Sequence, residues 1–333
     1  MLDFNGLKSV GTQTRSPYLT NRKPFATTDE NPGGRIMFDQ FHRHDIETGE
    51  ARIACFVGGD GPPLLLLHGY PQTHIAWHRI APLLAQNYTV VATDLRGYGE
   101  SRGPLQGPSS DYSKRAMARD QIAVMDRLGF GRFGVIGHDR GARVGYRLVL
   151  DHPGRVNAFV SLTVIPSSEV WSRVDKAFAL GAYHWFLFAQ PYDLPERLLS
   201  ADPDHFLDLT LRKMAKDRDA LSDAAVQSYR NAFRLPEVRH AMVQDYRAAA
   251  TVDHDHDLAD RQAGRRLDCP VLVLWEEGRF GGETTPLQIW REWSDRVEGH
   301  AIPGGHMQAE EQPAAVLDAV VPFLARHSRH LPT

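Results

Sequence analysis

The chain has 333 residues, of which 42% are hydrophobic and 24% charged, and its formal net charge is -3. This length fits one large α/β domain with an inserted piece, or two small domains. The near-neutral charge gives no support for a nucleic-acid or membrane-surface partner. Because the longest apolar runs are also too short to span a bilayer, we expect a soluble, cytoplasmic protein.

The N-terminal residues 1–34 are polar and have no apolar signal-peptide core, so they predict a loosely structured extension. Cys55 and Cys269 both lie in strand-like runs, which favours buried free thiols in a reducing compartment. No His/Cys cluster has the spacing of a zinc site. The acidic and histidine-rich run at 253–257 is predicted to be a solvated link. We therefore expect no metal and no organic cofactor.

Short apolar runs alternate with segments of helical spacing. Two early runs, Met37 to Thr48 and Glu50 to Val57, predict a hairpin. Among the later runs, Pro63 to Leu67 is continuously apolar, which is typical of a parallel strand buried on both faces. These later runs are Pro63 to Leu67, Tyr88 to Ala92, Phe133 to Ile136, Val156 to Val164, Pro270 to Trp275 and Glu298 to Ile302.

The alternation stops between residues 166 and 258, a segment rich in helix formers and aromatic residues. We interpret this segment as a helical cap domain inserted into a core domain made of residues 35–165 and 259–333. The core is predicted to be an α/β fold with a mostly parallel sheet flanked by helices. The cap would then cover the carboxyl ends of the strands, where such sheets bind ligands.

The run Gly137–Gly141 follows a strand and precedes a helix, as a nucleophile elbow does, but Asp139 stands where serine hydrolases have Ser. A carboxylate nucleophile attacks carbon directly and forms an ester, which indicates carbon–halogen or epoxide opening. The alternative is that Asp139 only caps the following helix. His306 follows the last strand, in the order typical of this kind of hydrolase, and we predict it to be the general base.

Arg140 and Arg143 lie at the start of the helix that follows Asp139. Surface arginines are usually solvated, but here the first helical turn would face the covered site. Two guanidiniums could bind the carboxylate of an anionic small-molecule substrate and keep Asp139 ionised.

With these motifs the chain resembles the fluoroacetate (haloacetate) dehalogenases, a group of α/β-hydrolases related to the epoxide hydrolases. The resemblance covers about residues 35–326. It implies the α/β-hydrolase fold with a cap, a homodimer, and halide contacts from His184, Trp185 and Tyr246. The motifs that carry it are His68–Gln72, Asp94–Gly99, His138–Arg143, Leu150–Pro153, Tyr183–Trp185 and Asp245–Arg247.

The predicted activity is hydrolytic dehalogenation of a small α-halo carboxylic acid to the 2-hydroxy acid. Asp139 would attack the α-carbon, and His306 would then activate the water that hydrolyses the Asp139 ester. The backbone N–H groups of Tyr70 and Arg140 would form the oxyanion hole.

The chain departs from the family pattern at the acid that should orient His306. Thr163 occupies the position where the dehalogenases have Asp. Glu277, or as a second choice Glu276, could supply the acid from the next strand; both could also be solvated loop charges. Two alternatives therefore stay open: an epoxide hydrolase in which Tyr183 and Tyr246 protonate the epoxide oxygen, and a catalytically weakened binding protein.

Overall fold

The computed structural model describes residues 38–278 and 284–327. The predicted extension 1–34 lies outside these residues. Among the described helices, none is both long and apolar enough to cross a membrane.

The described residues form one sheet of eight strands in the order β1-β2-β4-β3-β5-β6-β7-β8. β1 and β2 form the predicted antiparallel hairpin, and β2 also pairs antiparallel with β4. All other neighbours are parallel, which confirms the predicted mostly parallel sheet. The strands are β1 His42–Glu47, β2 Arg52–Gly58, β3 Pro63–Leu67, β4 Thr89–Thr93, β5 Phe133–His138, β6 Val156–Leu162, β7 Val271–Glu276 and β8 Val297–Ile302.

The central strands β3, β4 and β5 are buried on both faces, as the continuously apolar run Pro63 to Leu67 predicts, whereas the edge strands β1 and β8 are largely exposed. In β3, Leu65 and Leu67 belong to one apolar cluster, whereas Leu64 and Leu66 belong to a second cluster. The helices outside the long insertion are α1 Ala81–Leu84, α2 Lys114–Arg127, α3 Arg140–Asp151, α12 Pro286–Arg291, α13 Gln308–Glu311 and α14 Pro313–His327.

The segment between β6 and β7 is helical, as predicted. Its helices are α4 Ser167–Trp171, α5 Lys176–Gly181, α6 His184–Phe188, α7 Leu194–Ala201, α8 Pro203–Met214, α9 Asp223–Phe233, α10 Pro236–Ala250 and α11 Val252–Gln262. The predicted cap limit at 258 falls within α11.

The run 253–257 is not the solvated link that we expected. It lies in α11, and the side chains of Asp253 and Asp257 are buried. Asp257 pairs with Arg147 at 2.7 Å, and Asp253 accepts the backbone N–H of Lys114 at 2.8 Å. These contacts hold α11, at the end of the helical segment, against α2 and α3. Alternating acids and histidines in a sequence do not show which side of a helix is buried, so the pattern alone misled the interpretation.

Candidate active site

Asp139 lies at a sharp turn between β5 and α3, with φ 46° and ψ -113°. This positive φ is rare for residues other than glycine and is typical of strained functional turns. The glycines on either side allow the turn. A Cβ on Gly137 would lie 2.5 Å from the Cα of Ala142, and a Cβ on Gly141 would overlap the carbonyl oxygen of Leu67. The predicted elbow geometry is therefore present.

The side chain of Asp139 does not cap α3. Its Oδ1 accepts the backbone N–H of Tyr70 at 3.1 Å, and its Oδ2 lies 3.5 Å from Nε2 of His306. Burial raises the pKa of Asp139, but the hydrogen bond and charge of His306, with His138 and Arg140, outweigh it and hold the pKa well below its usual value. Asp139 is therefore an ionised carboxylate with one oxygen held by the backbone and the other facing the imidazole.

His306 is oriented by Glu276, not by Glu277. Nδ1 of His306 lies 2.8 Å from Oε1 of Glu276, and both side chains are buried. Glu277, which we preferred from the sequence, is exposed, and its backbone N–H donates to the carbonyl of Ile302 at 3.0 Å. The cause is the alternation of side chains along β7: Glu276 is the last residue of the strand and turns toward His306, whereas Glu277 has left it.

Thr163 does not replace the missing acid. It has φ 70°, and its Oγ1 is buried without a hydrogen-bond partner among the described residues. Its backbone N–H donates to the carbonyl of Leu274 in β7 at 2.8 Å, so Thr163 lies beside the strand that carries Glu276. The orienting carboxylate has therefore moved by one strand, from β6 to β7.

Arg140 is held by Asp245 of α10. Its Nε donates to Oδ2 of Asp245 at 2.9 Å, and its Nη2 donates to Oδ1 at 2.5 Å. Burial lowers the pKa of Arg140, but Asp245 outweighs this effect and raises the pKa well above its usual value. Nη1 of Arg140 is buried and has no partner among the described residues. Lys114 also pairs with Asp245. Asp245 therefore pairs with two cations, Lys114 and Arg140, and it anchors Arg140.

Among the described residues, the hydrogen-bond partners of Arg143 are neutral. Its Nη1 donates to the carbonyl of Ile165 at 2.9 Å and to Oγ of Ser167 at 3.1 Å. Its Nε is buried without a partner in the part of the chain that the structure describes. Burial lowers the pKa of Arg143, and neighbouring Arg140 lowers it further. No carboxylate of the described residues hydrogen-bonds to Arg143. An anionic ligand would therefore balance the charge of this guanidinium.

The three predicted halide contacts lie together beside these guanidiniums. The Cζ of Arg143 is 4.9 Å from the Trp185 ring centre, and the Cζ of Arg140 is 4.2 Å from that of Tyr246. The His184 ring is 5.4 Å from the Tyr246 ring, and burial lowers the pKa of His184 to about 3. His184 is therefore neutral at ordinary pH, and with Trp185 and Tyr246 it offers three N–H or O–H donor groups.

Tyr183 lies at the exposed edge of this group, with its ring 6.1 Å from the His184 ring. It is 39% exposed, packs edge-on against Phe206 and lies under the ammonium of Lys213 at 4.9 Å. By contrast, Tyr246 is only 1% exposed. The structure therefore does not give the two tyrosines the shared buried setting that a tyrosine pair for epoxide protonation requires.

Sequence reasoning missed one residue of the site. Asp245 was noted only as part of a family motif, and its pairing with Arg140 crosses from the helical segment to the elbow. Asp94 belongs to another of the motifs that carry the resemblance. It accepts backbone N–H groups of His74 at 2.6 Å and Glu100 at 2.8 Å, so it holds loops together.

Comparison with known proteins identifies a family and several similar proteins. A family model described as alpha/beta hydrolase fold matches residues 62–313. A fluoroacetate dehalogenase from Burkholderia sp. is 41% identical over 282 residues, which cover 83% of this chain and 91% of that protein. A soluble epoxide hydrolase from Corynebacterium sp. (strain C12) is 31% identical, covering 87% of this chain and 99% of that protein.

A solved structure from Pseudomonas aeruginosa is 61% identical and superposes with a TM-score of 0.85, covering 88% of this chain and 98% of that one. That protein is provisionally named an epoxide hydrolase, and its structure is of a threonine-to-aspartate variant with bound MFA.

Proposed function

Because the chain belongs to the α/β-hydrolase family, we propose that it hydrolyses the carbon–halogen bond of a small α-halo carboxylic acid to give the 2-hydroxy acid. Fluoroacetate and chloroacetate are the simplest such substrates. The Burkholderia relative that is named a fluoroacetate dehalogenase supports this substrate class.

One observation carries the proposal: two buried guanidiniums beside the elbow carboxylate each keep an N–H group without a protein partner in the described chain. These groups are Nη1 of Arg140 and Nε of Arg143. A buried, unpaired donor is costly, and a substrate carboxylate would pair both. Asp139 interacts electrostatically with both arginines, so an anion bound there would have its α-carbon close to the nucleophile.

The first half of the reaction forms an ester. Oδ2 of Asp139 attacks the α-carbon, the carbon–halogen bond breaks, and the halide leaves with the bonding electron pair. Oδ1 stays on the backbone N–H of Tyr70. The donors of His184, Trp185 and Tyr246 would stabilise the charge on the leaving halide, which matters most for fluoride because it is strongly hydrated in water.

The second half hydrolyses the ester. Glu276 accepts the Nδ1–H of His306, which leaves Nε2 as the basic atom, facing Asp139. Nε2 takes a proton from water, and the hydroxide attacks Cγ of Asp139. The tetrahedral intermediate places its negative charge on Oδ1, beside the Tyr70 N–H; the predicted second donor, the N–H of Arg140, would complete the oxyanion hole. Collapse returns the proton to the departing alkoxide, and the water oxygen stays in Asp139.

Single turnover in ¹⁸O-labelled water tests this mechanism. With excess enzyme and chloroacetate, mass spectrometry of the peptide that contains Asp139 should show one labelled oxygen, and the glycolate should be unlabelled. The Asp139→Asn variant is the control, because it should neither release chloride nor take up label. Label found only in glycolate would show that water attacks the substrate directly.

Epoxide hydrolysis is the second candidate, and it is supported by the relatives that carry that name. Tyr246 is buried near the nucleophile, but Tyr183 is not. The arginine pair also has no partner in a neutral epoxide. Release of halide from chloroacetate without diol formation from an aryl epoxide would favour the first candidate, and the reverse result would favour the second.

The third alternative, a binding protein that has lost turnover, was motivated by the absent acid at position 163. The contact between Glu276 and His306 removes that motivation.

A further inference from the structure

A chain of buried polar side chains leads from α9 to the backbone of His306. Tyr229 donates its O–H to Oε1 of Glu310 at 3.0 Å. Nε2 of Gln72 lies 2.5 Å from Oε2 of Glu310, and Oε1 of Gln72 lies 2.9 Å from Nδ1 of His138. Nε2 of His138 lies 2.7 Å from the carbonyl oxygen of His306. Tyr229, Glu310, Gln72 and His138 are each at most 2% exposed.

The protons of this chain can be counted from the His306 end. A carbonyl oxygen only accepts, so Nε2 of His138 must carry hydrogen. Burial, with neighbouring His306 as the next cause, lowers the pKa of His138 to about 3, so the ring is neutral and carries only that one hydrogen. Nδ1 of His138 is therefore an acceptor, and the Gln72 amide must present its NH₂ group to it.

This orientation turns the carbonyl oxygen of Gln72 toward Glu310. The nitrogen and oxygen of an amide are exchanged by a simple flip, and the hydrogen-bond network decides between them. The flip puts the carbonyl oxygen of Gln72 in the place of Nε2, beside Oε2 of Glu310, and two acceptor oxygens in contact require a proton between them. Burial raises the pKa of Glu310 to about 8, which agrees with a protonated acid at neutral pH.

We propose that Glu310 is a positioning residue for His306. As a neutral carboxylic acid it donates to Gln72, Gln72 donates to His138, and His138 donates to the main-chain carbonyl of His306. This role rests on the proposed function, in which His306 hydrolyses the Asp139 ester. Glu310 itself touches neither the substrate nor the reacting atoms.

The main chain of His306 is held on two sides, and its ring on a third. Its N–H donates to the carbonyl of Met214 in α8 at 2.8 Å, its carbonyl accepts from His138, and its ring pairs with Glu276. If Glu310 lost its proton, Gln72 would turn its NH₂ group toward the new carboxylate, and the bond to His138 could then form only with a protonated His138 ring. The His306 carbonyl would lose its partner or acquire a buried charge.

The neighbouring Glu311 offers a matched comparison. Its carboxylate accepts four backbone N–H groups: those of Gly305, Lys216 and Asp217 on Oε2 at 3.0, 2.9 and 3.0 Å, and that of Met307 on Oε1 at 3.0 Å. Four donors on one side chain suit an acceptor-only carboxylate. Replacing Glu by Gln is therefore mild at position 310 and disruptive at position 311.

The titratable and charged groups that face Glu310 are few. Tyr229 from α9 donates to it, Arg79 favours its charged form, and Glu311 disfavours that form; His138 lies one amide away. In the proposed chain of hydrogen bonds His138 is neutral, so ionisation of Glu310 near pH 8 determines which hydrogen bonds can form.

The test compares wild-type protein with Glu310→Gln, Glu310→Leu and Glu311→Gln. The first readout needs no substrate: an infrared difference spectrum should show a protonated carboxyl band in the wild type that Glu310→Gln lacks and that disappears as the pH passes about 8. Histidine ¹⁵N spectra, assigned with a His138→Gln variant, should show His138 as the neutral Nε2–H tautomer.

The second readout separates the two halves of the proposed reaction. Glu310→Leu should slow hydrolysis of the Asp139 ester by about 10²-fold, as expected for a misplaced catalytic group, and leave the single-turnover release of halide unchanged. Glu310→Gln should restore hydrolysis and remove the loss of rate above pH 8. Glu311→Gln should not show this pattern.

Absence of the carboxyl band together with a cationic His138 would overturn the proposal, as would a Glu310→Gln variant as slow as Glu310→Leu. If no variant and no wild-type preparation releases halide but the band and tautomer are present, the proposed substrate class is wrong and the neutral state of Glu310 stands.

Discussion

Oε1 of Glu276 lies 2.8 Å from Nδ1 of His306, and this contact supplies the carboxylate that the position of Thr163 lacks. The two residues belong to neighbouring strand ends, because β7 pairs with β8 and His306 follows β8. An acid placed at the end of β7 can therefore reach the same ring nitrogen that an acid after β6 would reach.

We predict that Glu276→Gln slows ester hydrolysis and spares alkylation. Without the carboxylate, His306 loses control of its tautomer and stabilisation of its cation, and the comparable loss in a serine protease triad is about 10⁴-fold. Intact-protein mass spectrometry after addition of chloroacetate should show the variant accumulating as the Asp139 ester. Glu277→Gln is the control and should turn over like the wild type. An unchanged rate in Glu276→Gln would remove Glu276 from the mechanism.

A second prediction concerns moving the acid. Thr163→Asp in the Glu276→Gln background should restore at least part of the hydrolysis rate, since the family to which the chain is similar places its acid there. The backbone at position 163 has φ 70°, which aspartate tolerates better than a β-branched residue. Steady-state halide release measures the recovery. Thr163→Asn in the same background keeps the shape without the charge and should not recover.

Much of this arrangement could be predicted from the sequence. Continuous apolar runs identified the parallel strands, and the loops that follow them brought Tyr70, Asp139 and His306 to one edge of the sheet. The elbow was recognisable because Gly137 and Gly141, on either side of Asp139, are glycines that allow close approaches of the backbone. These features are local, so a single sequence contains them.

The orienting acid was predicted wrongly for a local reason. The predicted strand ended at Trp275, one residue before the end of β7. Leu272 and Leu274 lie on one face of the sheet, and continuing the alternation by two residues puts Glu276 on that face. A strand boundary shifted by one residue therefore changed which glutamate could reach His306.

The partners of the buried charges could not be predicted. Asp245 lies 105 residues from Arg140 in the sequence, and Glu310 lies 238 residues from Gln72. Neither spacing carries a signal, because the pairing depends on how the helical segment packs on the sheet. The tertiary structure alone brings these groups together.

The two arginines should respond differently to the same substitution. Arg143→Gln removes a cation whose hydrogen-bond partners among the described residues are neutral, so it should mainly raise KM. Loss of one charged hydrogen bond to substrate, worth about 1.5–3 kcal/mol, corresponds to roughly 10- to 100-fold. Arg140→Gln leaves Asp245 with Lys114 and the hydroxyl of Tyr98, and breaking a buried ion pair costs about 3–5 kcal/mol of stability.

Thermal unfolding and steady-state kinetics on both variants separate these effects. We expect a clearly lower Tm for Arg140→Gln than for Arg143→Gln. Equal KM values for Arg143→Gln and wild type, with chloroacetate as substrate, would show that Arg143 does not bind the substrate carboxylate.

The two halves of the proposed reaction should depend differently on pH. Because the pKa of Asp139 is held well below its usual value of 3.8, the carboxylate stays ionised as the pH falls to about 4, and alkylation should continue there. Hydrolysis uses an imidazole base and should slow as that base is protonated. Rapid-quench single turnovers at pH 4.5 should therefore show a halide burst followed by slow glycolate release. Loss of the burst in parallel with glycolate release would show that Asp139 is protonated in this range.

Glu310 should make the free energy of unfolding depend on pH, and comparison with the Glu310→Gln variant isolates this effect. Its pKa in the folded protein is raised from 4.5 to about 8, so the folded state keeps a proton that the unfolded chain releases. Below about pH 4.5 this proton makes its full contribution to the free energy of unfolding. That contribution is lost as the pH rises toward 8, by at most about 1.4 kcal/mol per pH unit. Glu310→Gln has no such proton. Denaturant unfolding of both proteins from pH 4 to 9 should therefore show the variant gaining stability relative to wild type across this window, since their other titrating groups are the same. A constant difference across the window would mean that Glu310 is ionised in the folded protein.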